Sequence, residues 1–163
     1  MTEPIDLAAS QVETLQHIKQ VAGFLAVCIR ELTRRQSDHD ASKLASPELE
    51  GFAGWTPKLR GTEYGTPEYH AMLAEMKPFL DHHYACNSHH PEYWPAGIRG
   101  MDLYDLMEML CDWCAAATRH ATGDIYRSIE INQKRFGYSD DLKQLLVNTV
   151  CKLNLLPRGG ASE

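Results

Sequence analysis

Nowhere in the 163 residues is there a run approaching the roughly 20 apolar residues that a membrane span requires. No membrane-spanning helix is therefore expected. The amino-terminal stretch MTEPIDLAASQVETLQ has neither a basic start nor an apolar signal core, which predicts a cytoplasmic chain. Positive charge is also scarce: 16 Lys and Arg face 22 Asp and Glu, for a formal charge of −6. Without a basic field to hold a phosphate backbone, duplex DNA is not an expected partner. Cysteine is sparse and odd in number, at Cys28, Cys86, Cys111, Cys114 and Cys151. That pattern fits a reducing compartment and predicts no disulfide framework. The Cys111–Cys114 pair has CxxC spacing but no second pair and no preceding strand pattern, so it reads as two small residues on a helix beside Leu110 and Ala117. Alternating strand patterns, internal repeats and low-complexity segments are missing as well.

With 44% hydrophobic and 23% charged residues, the chain has an ordinary globular composition and a length suited to one domain. Its period is helical. Apolar residues Leu15, Ile18, Ala22, Leu25, Ile29 and Leu32 predict a long amphipathic helix over about 10–35, with His17 on a broad buried face and a break at 36–38. Ser46-Pro47-Glu48 and Thr66-Pro67-Glu68 read as helix starts, with Glu48 an acid of the first turn. The Gly, Pro and Thr content of residues 54–66 predicts a long loop between them. A helix over about 67–84 follows, which Pro78 kinks or restarts, and residues 87–100 form a second loop. A largely apolar central helix over about 101–121 carries Asp105, Glu108 and Asp112 in a narrow polar strip, and helices over about 124–136 and 139–153 complete the chain. The expected fold is an all-α, compact bundle of five to seven helices, one domain over 1–157 with a frayed tail at 158–163.

Histidine is what the sequence has in excess. Four of eight, His82, His83, His89 and His90, fall within nine residues. Charged, they would repel one another; neutral, they gain little as packing, so a shared partner is expected. Helical phase turns His83 toward the core and His82 about 100° away. Imidazole and carboxylate are the usual ligands of zinc, iron, manganese and related ions. Candidate ligands lie on separate elements: His17, then His39 and Asp40, then His83, then His89 or His90, then Asp112. Singly, each has a plainer reading, such as a hydrogen-bonded core histidine for His17 or a cap for Asp40.

In this order, on helices, the residues resemble the HD-domain superfamily of metal-dependent phosphohydrolases, from about His17 to Asp112. His39-Asp40-Ala41-Ser42-Lys43 is similar to the HDxGK and HDxSE forms of that superfamily, and His89-His90-Pro91-Glu92 to the HHE segment of its cyclic-dinucleotide phosphodiesterase branch. The combination HDxSK, HHxxxNxHHPExW and EMxCDW more closely resembles a family of small phage and bacterial proteins. The resemblance implies a cytoplasmic, metal-dependent phosphohydrolase of a bacterium or a phage-infected host, in which metal-activated water attacks a nucleotide or other small phosphoester. It implies one or two divalent ions (Zn, Mn, Fe, Co or Ni) and no organic cofactor. His17, His39, Asp40 and Asp112 would hold one ion, with Asp40 bridging to another held by His83 and His89. Lys43 would contact phosphate or orient the water, while Glu92 or Glu108 would act as general base or support a ligating imidazole. His82, Asn87, His90 and Trp94 would contact substrate. A di-iron oxygenase and a non-enzymatic, metal-stabilised partner-binding helical protein stand as alternatives, and a homo-oligomer is compatible with all three.

Overall fold

The computed structural model describes residues 6–60, 62, 66–119 and 123–155. The expected tail at 158–163 lies outside them. Every regular element among the described residues is helical, so the fold is all-α. The chain divides into two units, Met1–Asp38 and His39–Glu163.

The first unit is helix α1 (Leu7–Asp38). It begins earlier and ends later than its apolar period indicated. No Gly or Pro interrupts 36–38, Ser37 Oγ bonds back to the Thr33 carbonyl at 3.2 Å, and Arg34 bridges Glu31 and Asp38 on successive turns, so the expected break does not occur. Described by itself, this unit is one helix that carries its apolar stripe, with Leu15, Ile18, Leu25 and Ile29, along its length, and His17 stands in its first half.

The second unit opens with a turn at His39 and Asp40 and a short 3-10 helix, Ala41–Leu44. Helix α2 (Glu48–Arg60) follows, running through Gly54 and Pro57 where a loop was expected. Local breaker content does not decide this segment: Gly51 packs directly beneath the Phe79 ring, and Lys58 lies over the Trp55 ring at 4.0 Å. Thr66 caps α3 (Pro67–Glu75), its side chain accepting from the Tyr69 amide. Pro78 restarts the chain rather than kinking it, at the second position of α4 (Lys77–Cys86), where its missing N–H breaks no helical bond.

The loop after α4 holds two 3-10 turns, Pro91–Tyr93 and Gly97–Gly100. Asp102 and Asp105 form a reciprocal capping box on α5 (Leu103–Ala117). Asp124 caps α6 (Ile125–Phe136), which ends at Gly137 in the left-handed conformation (φ 66°) that a side chain disfavours. Ser139 caps α7 (Asp140–Leu153). Leu110 and Cys114 of α5, Ile125 and Ile129 of α6, Tyr138, and Leu146 and Val150 of α7 form the core. Burying each such side chain stabilises by about 1.5–3 kcal/mol, so this three-helix core anchors α5. No disulfide is formed among the described residues, and burial pushes the Cys114 thiol up to about 11.

Candidate metal centre

Asp40 follows α1 in a left-handed conformation (φ 56°), uncommon for a residue with a side chain and tolerated best by Asp and Asn. That backbone turns the carboxylate inward, toward α4 and the histidine loop. Asp40 Oδ1 lies 3.4 Å from His83 Nε2 and 3.5 Å from His89 Nε2, while His83 Nε2 and His90 Nε2 are 2.9 Å apart. Two ligands about 2.1 Å from one ion, at tetrahedral or octahedral angles, lie about 3.0–3.4 Å from each other, so these spacings suit a cation.

Two atoms of this group, Asp40 Oδ1 and His89 Nε2, are buried without a hydrogen-bond partner. Leaving such atoms unsatisfied costs about 1–3 kcal/mol each, more for a charged group, unless something shared by both satisfies them. Asp40, His83, His89 and His90 thus fit a divalent transition metal: three imidazoles and a carboxylate aimed at one point.

The opposite ring nitrogens explain how the imidazoles are aimed. His83 Nδ1 donates to Glu48 Oε2 at 2.9 Å, and His39 Nδ1 and His89 Nδ1 lie 2.8 and 3.1 Å from Glu108 Oε1. A carboxylate on Nδ1 fixes the tautomer and leaves the Nε2 lone pair for a metal. Burial, followed by the nearby Lys43 charge, holds His83 below the ordinary imidazole value, and burial with the neighbouring His89 and His83 pushes His90 down to about 3. Both shifts favour the neutral form that a ligating imidazole needs. Burial opposes ionisation of Glu48, but His82, Ser42 and His83 outweigh it and hold the carboxyl below its usual range. His39 is raised, chiefly by Glu108.

The loop is fixed in turn. Ser88 Oγ donates to Asp105 Oδ1 at 2.7 Å, and Trp94 Nε1 donates to the Ser88 carbonyl at 2.9 Å, setting the residue that precedes His89.

A looser group adjoins the first. His39 Nε2 lies 3.5 Å from Asp40 Oδ2 and 3.9 Å from Asp112 Oδ1, and these three residues form a second set of donors sharing Asp40. Lys43 Nζ is already 2.5 Å from Asp40 Oδ2. Burial raises the Asp40 pKa, but Lys43, then His39 and His83, lower it on balance, so the carboxylate is ionised. Lys43 competes for the oxygen that a second ion would share.

His39, Asp40, Lys43, His83, His89, Glu108 and Asp112 therefore come together. His17 stands on α1, in the first unit. Other expected roles are corrected. His90 joins the candidate ligands by its 2.9 Å approach to His83, in place of a substrate contact. Glu92 is drawn away by Arg135, 2.6 Å from its carboxylate. Trp94 is a half-buried brace for the loop, with its indole N–H occupied. Asn87 Nδ2 donates to Ser42 Oγ and the His83 carbonyl, and Ser42 Oγ donates to Glu48, so Asn87 is a positioning residue. His82 is exposed and bound to Glu48 Oε1 at 2.8 Å. Asp105 leaves the polar strip: only 1% exposed, it caps α5 and holds Ser88 instead of facing the donors.

Sequence reading missed Glu48, which is fully buried between His82 and His83. Its acid-after-proline position pointed to an ordinary first-turn acid, and no spacing in the sequence marked it out. A shallow cleft of about 370 Å³ lined by Ile98, Arg99, Tyr138 and Leu142 has no imidazole or carboxylate in its wall and lies apart from this chemistry.

No helix among the described residues is long and apolar enough to cross a membrane. No match is found among curated proteins or solved structures. Residues 7–152, spanning α1, the whole donor set and nearly all of α7, match one family, and the chain belongs to it: a family of unknown function, DUF5662.

Proposed function

We propose that the chain is a metal-dependent phosphohydrolase acting on a nucleotide or another small phosphoester. The observation that carries this reading is the pair of buried, unsatisfied atoms, Asp40 Oδ1 and His89 Nε2, facing His83 and His90. An ion bound there supplies Lewis acidity toward a phosphoryl oxygen and lowers the pKa of water. The HD-domain resemblance of the His39–Lys43 and His82–Trp94 motifs supplies the reaction class.

The chain's own residues divide the work. Glu48 and Glu108 keep the His83 and His89 rings oriented through Nδ1. Lys43, 30% exposed, carries a cation at the open side of Asp40 and donates to a phosphate oxygen there. His39, half-buried and raised in pKa by Glu108, holds a proton for the departing oxygen.

The test is a screen of nucleotides and phosphodiesters with metal-stripped and reloaded protein. Phosphate or nucleoside release that requires metal and disappears in Asp40→Ala supports the reading. No metal-dependent turnover across the screen contradicts it. The shared Asp40 between two donor groups favours one competing chemistry, a di-iron oxygenase. Two irons per chain and an oxygen-dependent spectral change would select it. Chelator-induced unfolding without turnover, together with a tight protein complex, would select a metal-stabilised binding module.

A further inference from the structure

Beside the Asp40 centre, α4 carries a second set of donors of different chemistry. His82 and Cys86 are four residues apart, so both project from one face of the helix, one turn from each other. Cys86 Sγ lies 3.8 Å from His82 Nδ1 and 4.0 Å from His82 Nε2. His82 Nδ1 is 2.8 Å from Glu48 Oε1, and the three donors lie within 4.8 Å of one another. Zinc bonds of about 2.3 Å to sulfur and 2.0–2.2 Å to nitrogen and oxygen place tetrahedral ligands about 3.6 Å (S to N) and about 3.4 Å (N to O) apart. The sulfur-to-nitrogen spacing is close to that value, while His82 Nδ1 and Glu48 Oε1 stand at hydrogen-bond distance and would part slightly to admit an ion.

Its anchor is not an incidental surface acid. Glu48 is fully buried, and its two oxygens are divided: Oε2 receives Ser42 and His83, while Oε1 faces His82. His82 and Cys86 are both exposed, which leaves the fourth position to solvent and the site open to an incoming ion.

We propose that Glu48 Oε1, His82 and Cys86 form a second cation site, for a thiophilic divalent ion such as zinc or cadmium. A thiolate donor selects soft ions, whereas the Asp40 centre offers only nitrogen and oxygen. On binding, the Cys86 thiol releases its proton to solvent and no redox change occurs. Because Glu48 also holds His83, an ion here withdraws negative charge from the carboxylate that orients a ligand of the Asp40 centre. This last coupling rests on the Asp40 centre being a metal site; the second site itself does not.

The test uses the full chain, with manganese present in excess to occupy nitrogen and oxygen donors, titrated with cadmium and followed by the ultraviolet thiolate-to-cadmium charge-transfer band. The expected result is a band saturating at about one cadmium per chain, abolished in Cys86→Ser and weakened in His82→Ala. Both replaced side chains are exposed, so the fold is retained, and circular dichroism checks that. Asp40→Ala keeps the band, so failure of the Asp40 centre would leave this result intact. Absence of the band in the wild-type chain, or a band that Cys86→Ser leaves unchanged, overturns the proposal.

Discussion

The donors at the centre are held by carboxylates one bond further out, and the sharpest residue-level expectations concern those carboxylates. Replacing Glu48 by Gln keeps the shape but removes the charge that fixes His83 Nδ1–H. Metal affinity at the Asp40 centre is expected to fall roughly 10- to 100-fold by calorimetric titration, and an unchanged affinity would show that Glu48 does not orient His83. Glu92→Ala has the opposite expectation. Its partner Arg135 is 54% exposed, so losing the pair changes stability by about 1 kcal/mol or less in chemical denaturation and leaves any turnover intact. The contrast shows what sequence can reveal about single residues. His83 inward and His82 outward followed from helical rotation alone. The choice between His89 and His90 did not, because loop geometry sets it through Ser88 and Trp94, and both converge on the centre. Glu92 and Glu108 looked equivalent as nearby acids. Tertiary contacts separate them: Arg135, 43 residues from Glu92 along the chain, takes the one, and His39 and His89 take the other.

Elements bring these residues together, and the tightest joint is between α2 and α4. A Cβ at Gly51 would meet the Phe79 ring at 2.3 Å, a distance real contacts do not reach. Gly51→Ala is therefore expected to force the two helices apart, destabilising the fold by about 1–3 kcal/mol. Because α2 carries Glu48 and α4 carries His82 and His83, it should also weaken metal binding. Thermal unfolding and metal titration check both halves; a variant with wild-type behaviour in each would contradict this packing. The same joint explains why α2 was hard to read. Gly54 and Pro57 suggested a loop, whereas packing through Gly51 and the Trp55–Lys58 contact sustains a helix. Asp105 is the parallel case on α5. Its spacing from Glu108 and Asp112 suggested one polar strip, but the capping box and Ser88 turned it to structural use. Elements with strong caps and steady period, α6 and α7, were legible to within a residue or two.

For the molecule as a whole, the buried neutral imidazoles link folding to pH. His90, at about 3, and His83 are held below the ordinary imidazole value of about 6.5. For both, the unfolded chain takes up protons first. Their contribution to stability is present above about pH 6.5 and is lost as pH falls through their folded values. His39, raised by Glu108, acts in reverse: its contribution is full below about pH 6.5 and is lost as pH rises through its higher folded value. With two depressed groups against one raised, the melting temperature of metal-free protein is expected to fall steadily from about pH 6.5 toward about pH 3. A flat profile over that interval would contradict the burial of these rings. An ion that binds only the folded chain adds stability by mass action, about 2.7 kcal/mol at a hundredfold excess over its Kd.

The proposed function depends on the group formed by Asp40, His83, His89 and His90 holding a metal. Elemental analysis of the full chain, purified without added metal and again after reconstitution, tests that claim directly. About one to two transition-metal ions per chain are expected, and Asp40→Ala is expected to lose those of the Asp40 centre, keeping at most the one ion of the Glu48, His82 and Cys86 group. Less than about half an ion per chain, unchanged on reconstitution, would contradict the account.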